Sequence, residues 1–289
     1  MAKKKGRVVV PVRFPTISDT PTRTKLFLTP KQIEQMRANS RFIEAKHVDY
    51  QPLRLPTGEV IKSVSLQGKK GALAHMMAAK SSHFLIGMSQ RKLDEFHRIN
   101  DALKKKGVPV VRILEDYKGK KPGERLVLIE GEKSTLYNLN RDSPNGLPIA
   151  DAKKYFEALG TLHSLGVSHN HPHLGNFFRR NGKAGVFDFS NVKFGNVDWK
   201  SPERIIDFFQ VDYSVALDNF LMTAVRNKRL QERIKQEQIG DVLQELVKPL
   251  PASQRVKQVL VEELENSFFD VLIPHYREHG FFKTHKMDI

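Results

Sequence analysis

From residue 42 onward, the order of apolar and polar positions divides the chain into two unlike stretches. Short extended runs come first, FIEAKHVDYQPL, EVIKSVSLQ and ALAHMMAAK, joined by the turn-rich RLPTG and GKKG. Runs of this length bounded by Gly and Pro predict strands, and the three fit an antiparallel meander. The third also fits a short helix, because Ala and Met favour helix. Ser89 then opens a stretch with apolar residues at Leu93, Phe96, Ile99 and Leu103, the three- and four-residue spacing of an amphipathic helix, which Gly107 stops. Two further runs, VPVVRILEDY and ERLVLIEGE, flank the turn GKKPG. The expectation is a five-stranded sheet carrying one main helix.

Beyond residue 132 the pattern is helical. TLYNLN and IADAKKYFEALGTLHSLG, ending at Gly166, come before a short region of mixed character. PERIIDFFQVDYSVALDNFLMTAV, QIGDVLQELV and the long SQRVKQVLVEELENSFFDVLIPHYREH follow it. A β-rich part followed by an α-rich part is an α+β pattern. Ahead of both lies a segment with Pro11, Pro15 and Pro21 among Thr, Ser and Arg and no period, which predicts an extended or disordered arm. Thr29, Pro30 and Gln32 supply an N-cap, a first-turn proline and a capping-box partner for a helix over KQIEQMRANSRF. The chain therefore divides into a basic N-terminal extension (1–41), a β-rich unit (42–132) and a helical unit (133–289).

Composition narrows the classes. No run of about 18 apolar residues is present, so membrane insertion is not expected. The opening MAKKKGRVVVPVRF lacks the apolar core and cleavage site of a secretory signal, and a cytoplasmic protein is expected. The absence of cysteine excludes disulfides, thiolate catalysis and cysteine-ligated zinc. A net charge of +16 predicts attraction to polyanions. Residues 1–54 hold 12 Lys and Arg against 4 Asp and Glu, half of that excess. Phe14, Phe27 and Phe42 are interleaved with these cations, a combination that single-stranded RNA binding uses and that a solubilising tail also shows.

The chemistry concentrates in residues 163–190, HSLGVSHNHPHLGNFFRRNGKAGVFDFS. His169, Pro172, His173, Gly175 and Asn176, with Asp188-Phe189-Ser190 twelve residues after Asn176, resemble the catalytic and metal-binding loops of atypical protein-kinase-like enzymes. The wording is closest to the ubiquinone-biosynthesis type, and more distantly similar to aminoglycoside phosphotransferases and RIO-like kinases. The resemblance is specific over about 30 residues and architectural over the remainder of 42–220. It implies a bilobed fold, with 42–132 as a small N-lobe and 133–289 as a larger C-lobe, and a Mg²⁺-dependent transfer of the ATP γ-phosphate to a hydroxyl acceptor. Asp188 would bridge metal and nucleotide phosphates, and Asn176 would hold the second metal position. His171 stands where the family has its catalytic Asp. A neutral imidazole can take a proton near pH 7, so the substitution leaves open a slow kinase and a pseudokinase that binds RNA or a ribonucleoprotein through its basic arm.

Other family positions follow by the same resemblance. Lys80, with Lys62 as competitor, would meet the α- and β-phosphates, and Glu95, 15 residues beyond Lys80, would pair with it. Leu55 to Gly58 or Gly68 to Gly71 would cover the phosphates, although neither has several glycines. Ile129, Glu130 and Gly131 would lie along the adenine. Asp207 and Asp212 would brace the catalytic loop, or serve as ordinary helix acids. Independently of the family, His169, His171 and His173 alternate and would share one side of an extended segment, near His163, leaving a transition-metal site as an alternative.

Overall fold

A computed structural model describes residues 48–54, 60–67, 73–78, 84–118, 123–130 and 134–289. The fold is α+β. Its main sheet contains β1 (Val48–Arg54), β2 (Val60–Gln67), β3 (Leu73–Ala78), β4 (Phe84–Ser89), β5 (Ile113–Lys118) and β6 (Glu124–Ile129), in the order β1-β2-β3-β4-β6-β5 with every pair antiparallel. The sheet thus has six strands, where the pattern predicted five. The additional strand, β4, lies in the interior between β3 and β6. Its FLI run is continuously apolar and so carries no alternation, and its last residue doubles as the cap of the next helix. ALAHMMAAK is a strand over Leu73–Ala78, since pairing on both edges overrides the helix preference of Ala and Met.

Helix α1 (Gln90–Lys105) forms as its spacing predicts. The Ser89 hydroxyl accepts the Lys92 N–H at 3.3 Å, Leu93, Phe96, Ile99 and Leu103 are buried, and Gly107 takes the left-handed conformation just past the end. The buried Asn100 amide donates to the Val111 carbonyl at 3.1 Å, fixing the return of the chain into β5.

The helical part contains α2 (Leu136–Asp142), capped by Thr135, α3 (Ile149–His163), and α4 (Pro202–Ala224), capped by Ser201 with Pro202 in its first turn. They are followed by α5 (Lys228–Lys235), α6 (Gly240–Val247), α7 (Gln254–Ser267), α8 (Ile273–Glu278) and the short α9 (Phe281–Thr284). The long helix expected over 253–279 is interrupted by a π-helical turn at Phe268–Leu272, in which the Ile273 N–H donates to the Phe268 carbonyl five residues back. Pro274 explains the position: with no N–H to give the carbonyl four residues earlier, it ends the regular ladder. No helix among the described residues is long and apolar enough to cross a membrane.

Between α3 and α4 lie β7 (Val167–Ser168), paired with β10 (Lys193–Phe194), and the hairpin of β8 (Phe177–Arg180) and β9 (Lys183–Val186). The hairpin turns on Asn181-Gly182, both at positive φ, the two-residue sequence that matches strand twist best. It joins the sheet-bearing part through a parallel bridge between Val110 and Val186 and through Phe96 of α1, whose ring meets Phe189 edge-on at 5.3 Å.

Helices α3 and α6 cross closely at Gly160. A Cβ there would lie 2.0 Å from the Leu246 carbonyl oxygen, a backbone atom with no freedom to move aside. Gly160→Ala should therefore destabilise the protein by about 1–3 kcal/mol through overpacking, although alanine in an open helix would gain about 1 kcal/mol. Urea denaturation of the two proteins reads the sign.

Candidate functional site

The site begins with a buried carboxylate. Asp212 projects from α4 and is fully buried. Its Oδ2 accepts the His169 N–H at 2.7 Å, and its Oδ1 accepts the Asn170 N–H at 2.7 Å. Its Oδ2 also meets His163 Nε2 at 2.9 Å. The His163 ring, at the end of α3, stacks on Phe209 at 3.9 Å with Tyr213 at its edge. Burial pushes the His163 imidazole below its ordinary pKa, with Asp212 opposing the shift. The ring is neutral at pH 7 and carries its proton on Nε2, facing the carboxylate. Three donors converge on one acceptor group, the arrangement that makes a buried carboxylate tolerable.

This brace fixes the loop from His169 to Asn176. Asn170 is left-handed, with φ 57°, a conformation Asn adopts more readily than most residues, and its side-chain amide donates to the Asn191 carbonyl at 2.9 Å. His169 is buried and its Nε2 donates to the Phe187 carbonyl at 3.0 Å. The Pro172 carbonyl accepts the Tyr155 hydroxyl at 2.6 Å and the Asn219 amide at 3.0 Å. His173 Nδ1 accepts the Gly175 N–H at 3.0 Å, and Asn176 Nδ2 donates to the His171 carbonyl at 2.9 Å. Bonds to the His169, Asn170, His173, Gly175 and Asn176 amides and to the His171 and Pro172 carbonyls hold the loop's shape.

Asn176 and Asp188 emerge at the same end of the β8–β9 hairpin. The ladder pairs Phe177 with Val186, and one step beyond it the Phe187 N–H donates to the Asn176 carbonyl at 3.1 Å. Asp188 follows at once with φ 60°. A left-handed Asp costs about 1–2 kcal/mol, and such strain persists only where surrounding contacts impose it. His171 lies on the same loop, partly exposed, with its ring edge-on to His173 at 4.4 Å. The structure thus brings His171, Asn176 and Asp188 into one loop-and-hairpin unit.

The donor set suits magnesium. Asn176 commits its amide nitrogen to the His171 carbonyl, leaving the amide oxygen for a hard cation, and Asp188 adds a carboxylate. Magnesium is commonly held by one or two such protein oxygens, with water and phosphate completing the octahedron. The alternating-histidine site is not formed. The segment is not extended, because Asn170 is left-handed and the His173 N–H turns back to the His171 carbonyl at 2.9 Å, while the His169 ring is directed to Phe187. Among the described residues no group of three or more His, Asp or Glu is placed to hold a metal ion.

The remaining expected positions separate. Lys80, Gly131, both candidate phosphate covers and the 1–41 extension lie outside the described residues, and Lys62 is on β2 opposite Pro52. Glu95 is on α1 and pairs with Arg91 at 3.5 Å. Glu130 follows β6 and is held by Arg112 and Arg180, each at 3.1 Å. Burial pushes its carboxyl up, but hydrogen bonds from Arg112 and Arg180 outweigh that and hold it below the usual range. Of the two helix acids, Asp212 braces the loop and Asp207 is exposed. Sequence reasoning missed His163 as the third donor to Asp212, and missed Tyr155 and Asn219 at the Pro172 carbonyl. His163 carried a faint signal, since a histidine ending the helix before the loop is well placed to reach it. Tyr155 and Asn219, 17 and 47 residues from Pro172, carried none.

Comparison with known proteins adds no relative: no family model and no curated protein matches the chain.

Removing the brace should be costly. Asp212→Ala leaves three donors without their acceptor and should lower stability by about 3 kcal/mol or more, read by urea denaturation. The loop histidine gives a pH signature. Burial, assisted by the neighbouring His171 and His169, pushes His173 down to about 4. The unfolded chain, with pKa about 6.5, therefore takes up a proton that the native state refuses. Stability is complete above about 6.5 and should fall by up to about 1.4 kcal/mol per pH unit as pH drops toward 4, with His163 acting in the same direction. His173→Asn offers the Gly175 N–H a non-titrating acceptor and should flatten that slope. Denaturation midpoints between pH 7.5 and 5 make the comparison.

Proposed function

We propose that the protein is a divergent, magnesium-dependent ATP phosphotransferase with a bilobed, protein-kinase-like fold. The observation that carries this reading is the Asp212 brace. It holds the His169 and Asn170 amides so that the loop ending in Asn176 lies beside the hairpin strand leading to a left-handed Asp188. Two oxygen donors displayed from a rigid loop and hairpin are what phosphoryl transfer asks of a protein, whose contribution is positioning and charge stabilisation.

In this mechanism Asp188 and Asn176 would hold the metal, which would neutralise phosphate charge. Lys80 and Glu95 attend the α- and β-phosphates, and the stretch from Ile129 to Gly131 borders the adenine. The acceptor hydroxyl attacks the γ-phosphorus as the bond to the β–γ bridging oxygen breaks. ADP departs, and the hydroxyl proton passes to His171. A neutral imidazole accepts that proton but offers no negative charge beside the nucleophile, so the expected enzyme is slow.

Calorimetric titration of ATP into the full chain, with and without magnesium, tests the reading. Magnesium-dependent binding that disappears in Asp188→Ala is expected. Binding unchanged in that variant would remove the metal assignment, and no binding at millimolar ATP would replace the enzyme with a pseudokinase. His171→Asp should preserve or raise transfer of labelled γ-phosphate, because it restores a carboxylate base while leaving the loop's backbone bonds in place.

A further inference from the structure

We propose that the C-terminal end of α1 and the β8–β9 hairpin form a docking surface for the phosphate backbone of a double-helical nucleic acid. The two elements are far apart in sequence and adjacent in space. Val110 bridges Val186, the Val186 N–H donates to the Pro109 carbonyl at 3.3 Å, and Lys183 Nζ donates to the Gly107 carbonyl at 3.1 Å. Lys104, Lys105 and Lys106 at the end of α1 are exposed and immediately precede that glycine. Arg180 on the hairpin and Arg112 beside it share the Glu130 carboxylate, each at 3.1 Å, and the Arg112 side chain is 71% exposed. Among the described residues six cations thus gather near Glu130 and Asp101, the latter one helical turn before Lys104 and Lys105. Six minus two leaves a formal +4.

Folding alone does not ask for this density. Cations in the last helical turn complement the helix dipole, which accounts for Lys104 and Lys105, and Lys183 satisfies a terminal carbonyl. Lys106 adds like charge beside them, and Arg112 and Arg180 bring two guanidinium charges to the single Glu130 carboxylate, an excess that a polyanion would offset. Nor does the surface suit every polyanion. Among the described residues the exposed large hydrophobic side chains are Tyr137 and Val271, and neither belongs to it. Among the described side chains the surface therefore shows neither the aromatic platforms on which single strands stack nor the apolar anchors that enter a bilayer. What it offers is cationic contact alone, including guanidinium groups matched to phosphate, and that is sufficient to hold a duplex backbone without reading its sequence. The hairpin turn at Asn181-Gly182 lies at the end of β8 away from Asn176. The surface is built from the folded body and is independent of both the basic extension and the phosphotransferase reading.

The test compares two charge-matched variants of the full chain, so the N-terminal extension is present throughout. One carries Lys104→Gln, Lys105→Gln and Lys106→Gln; the other carries Lys228→Gln, Lys283→Gln and Lys286→Gln, which are also exposed but distant in the fold. Glutamine keeps helix propensity, and the thermal melt confirms that each variant folds. Anisotropy of a labelled RNA duplex of about 20 base pairs is followed from about 50 to 200 mM salt. The first variant is expected to bind at least about tenfold more weakly at 100 mM and to lower the slope of log affinity against log salt by about 2 to 3, while the second stays within about twofold of the parent. Equal weakening of both, or of neither, overturns the proposal. So does a loss confined to the single strand of the same sequence or to phosphatidylserine vesicles.

Discussion

The conformation of the loop region depends on a single buried carboxylate. Among the described residues no lysine or arginine pairs with Asp212; it is stabilised by two backbone amides from one loop and one imidazole from the helix before that loop. Burying such a group is expensive without good partners, so the geometry of all three donors is set together. Helix α3 delivers His163, α4 delivers the acid, and the intervening chain must pass close enough for consecutive amides to reach both oxygens. The left-handed turn at Asn170 is the local price of that passage.

The other contacts of the site extend outward from this constraint. Once His169 and Asn170 are fixed, the Pro172 carbonyl falls between Tyr155 and Asn219, and Asn176 is placed to meet Phe187 across the hairpin. A run of rings links the same region to the sheet. Phe96 of α1 touches Phe189, Phe189 touches His169, His169 touches Phe177, and Phe177 touches Tyr155. Aromatic pairs of this kind add about 0.5–1.5 kcal/mol each beyond the area they bury. The polar brace specifies the loop, and the rings carry that specification to the helix lying on the sheet.

The legible parts of the sequence were those whose signal is local. Helix α1 shows its spacing, its serine cap and its terminal glycine. The 163–190 stretch named His171, Asn176 and Asp188 together, and the hairpin register brings the last two to one end. What was illegible depends on contacts at a distance or on conflicting local cues. β4 has no alternation to read, β3 follows its neighbours against its own preference, and Tyr155 and Asn219 act through hydrogen bonds that no spacing rule anticipates. Pro274 lies inside the long helix expected over 253–279, and its effect was illegible because a proline near a helix start is also a normal first-turn residue; only the π-helical turn decides between the two.

Glu130 lies where the sheet's β6 ends, and its two arginines reach it from different directions, Arg112 from the approach to β5 and Arg180 from the hairpin that bears the candidate site. Mechanically this ties the end of the sheet to the hairpin. Any swing of the sheet away from the hairpin must lengthen the Arg180 contact, while the Arg112 contact travels with the sheet and keeps the carboxylate oriented for recapture. Partly exposed ion pairs contribute at most about 1 kcal/mol, so thermal motion opens such a tether readily. It therefore joins sheet and hairpin without locking them together.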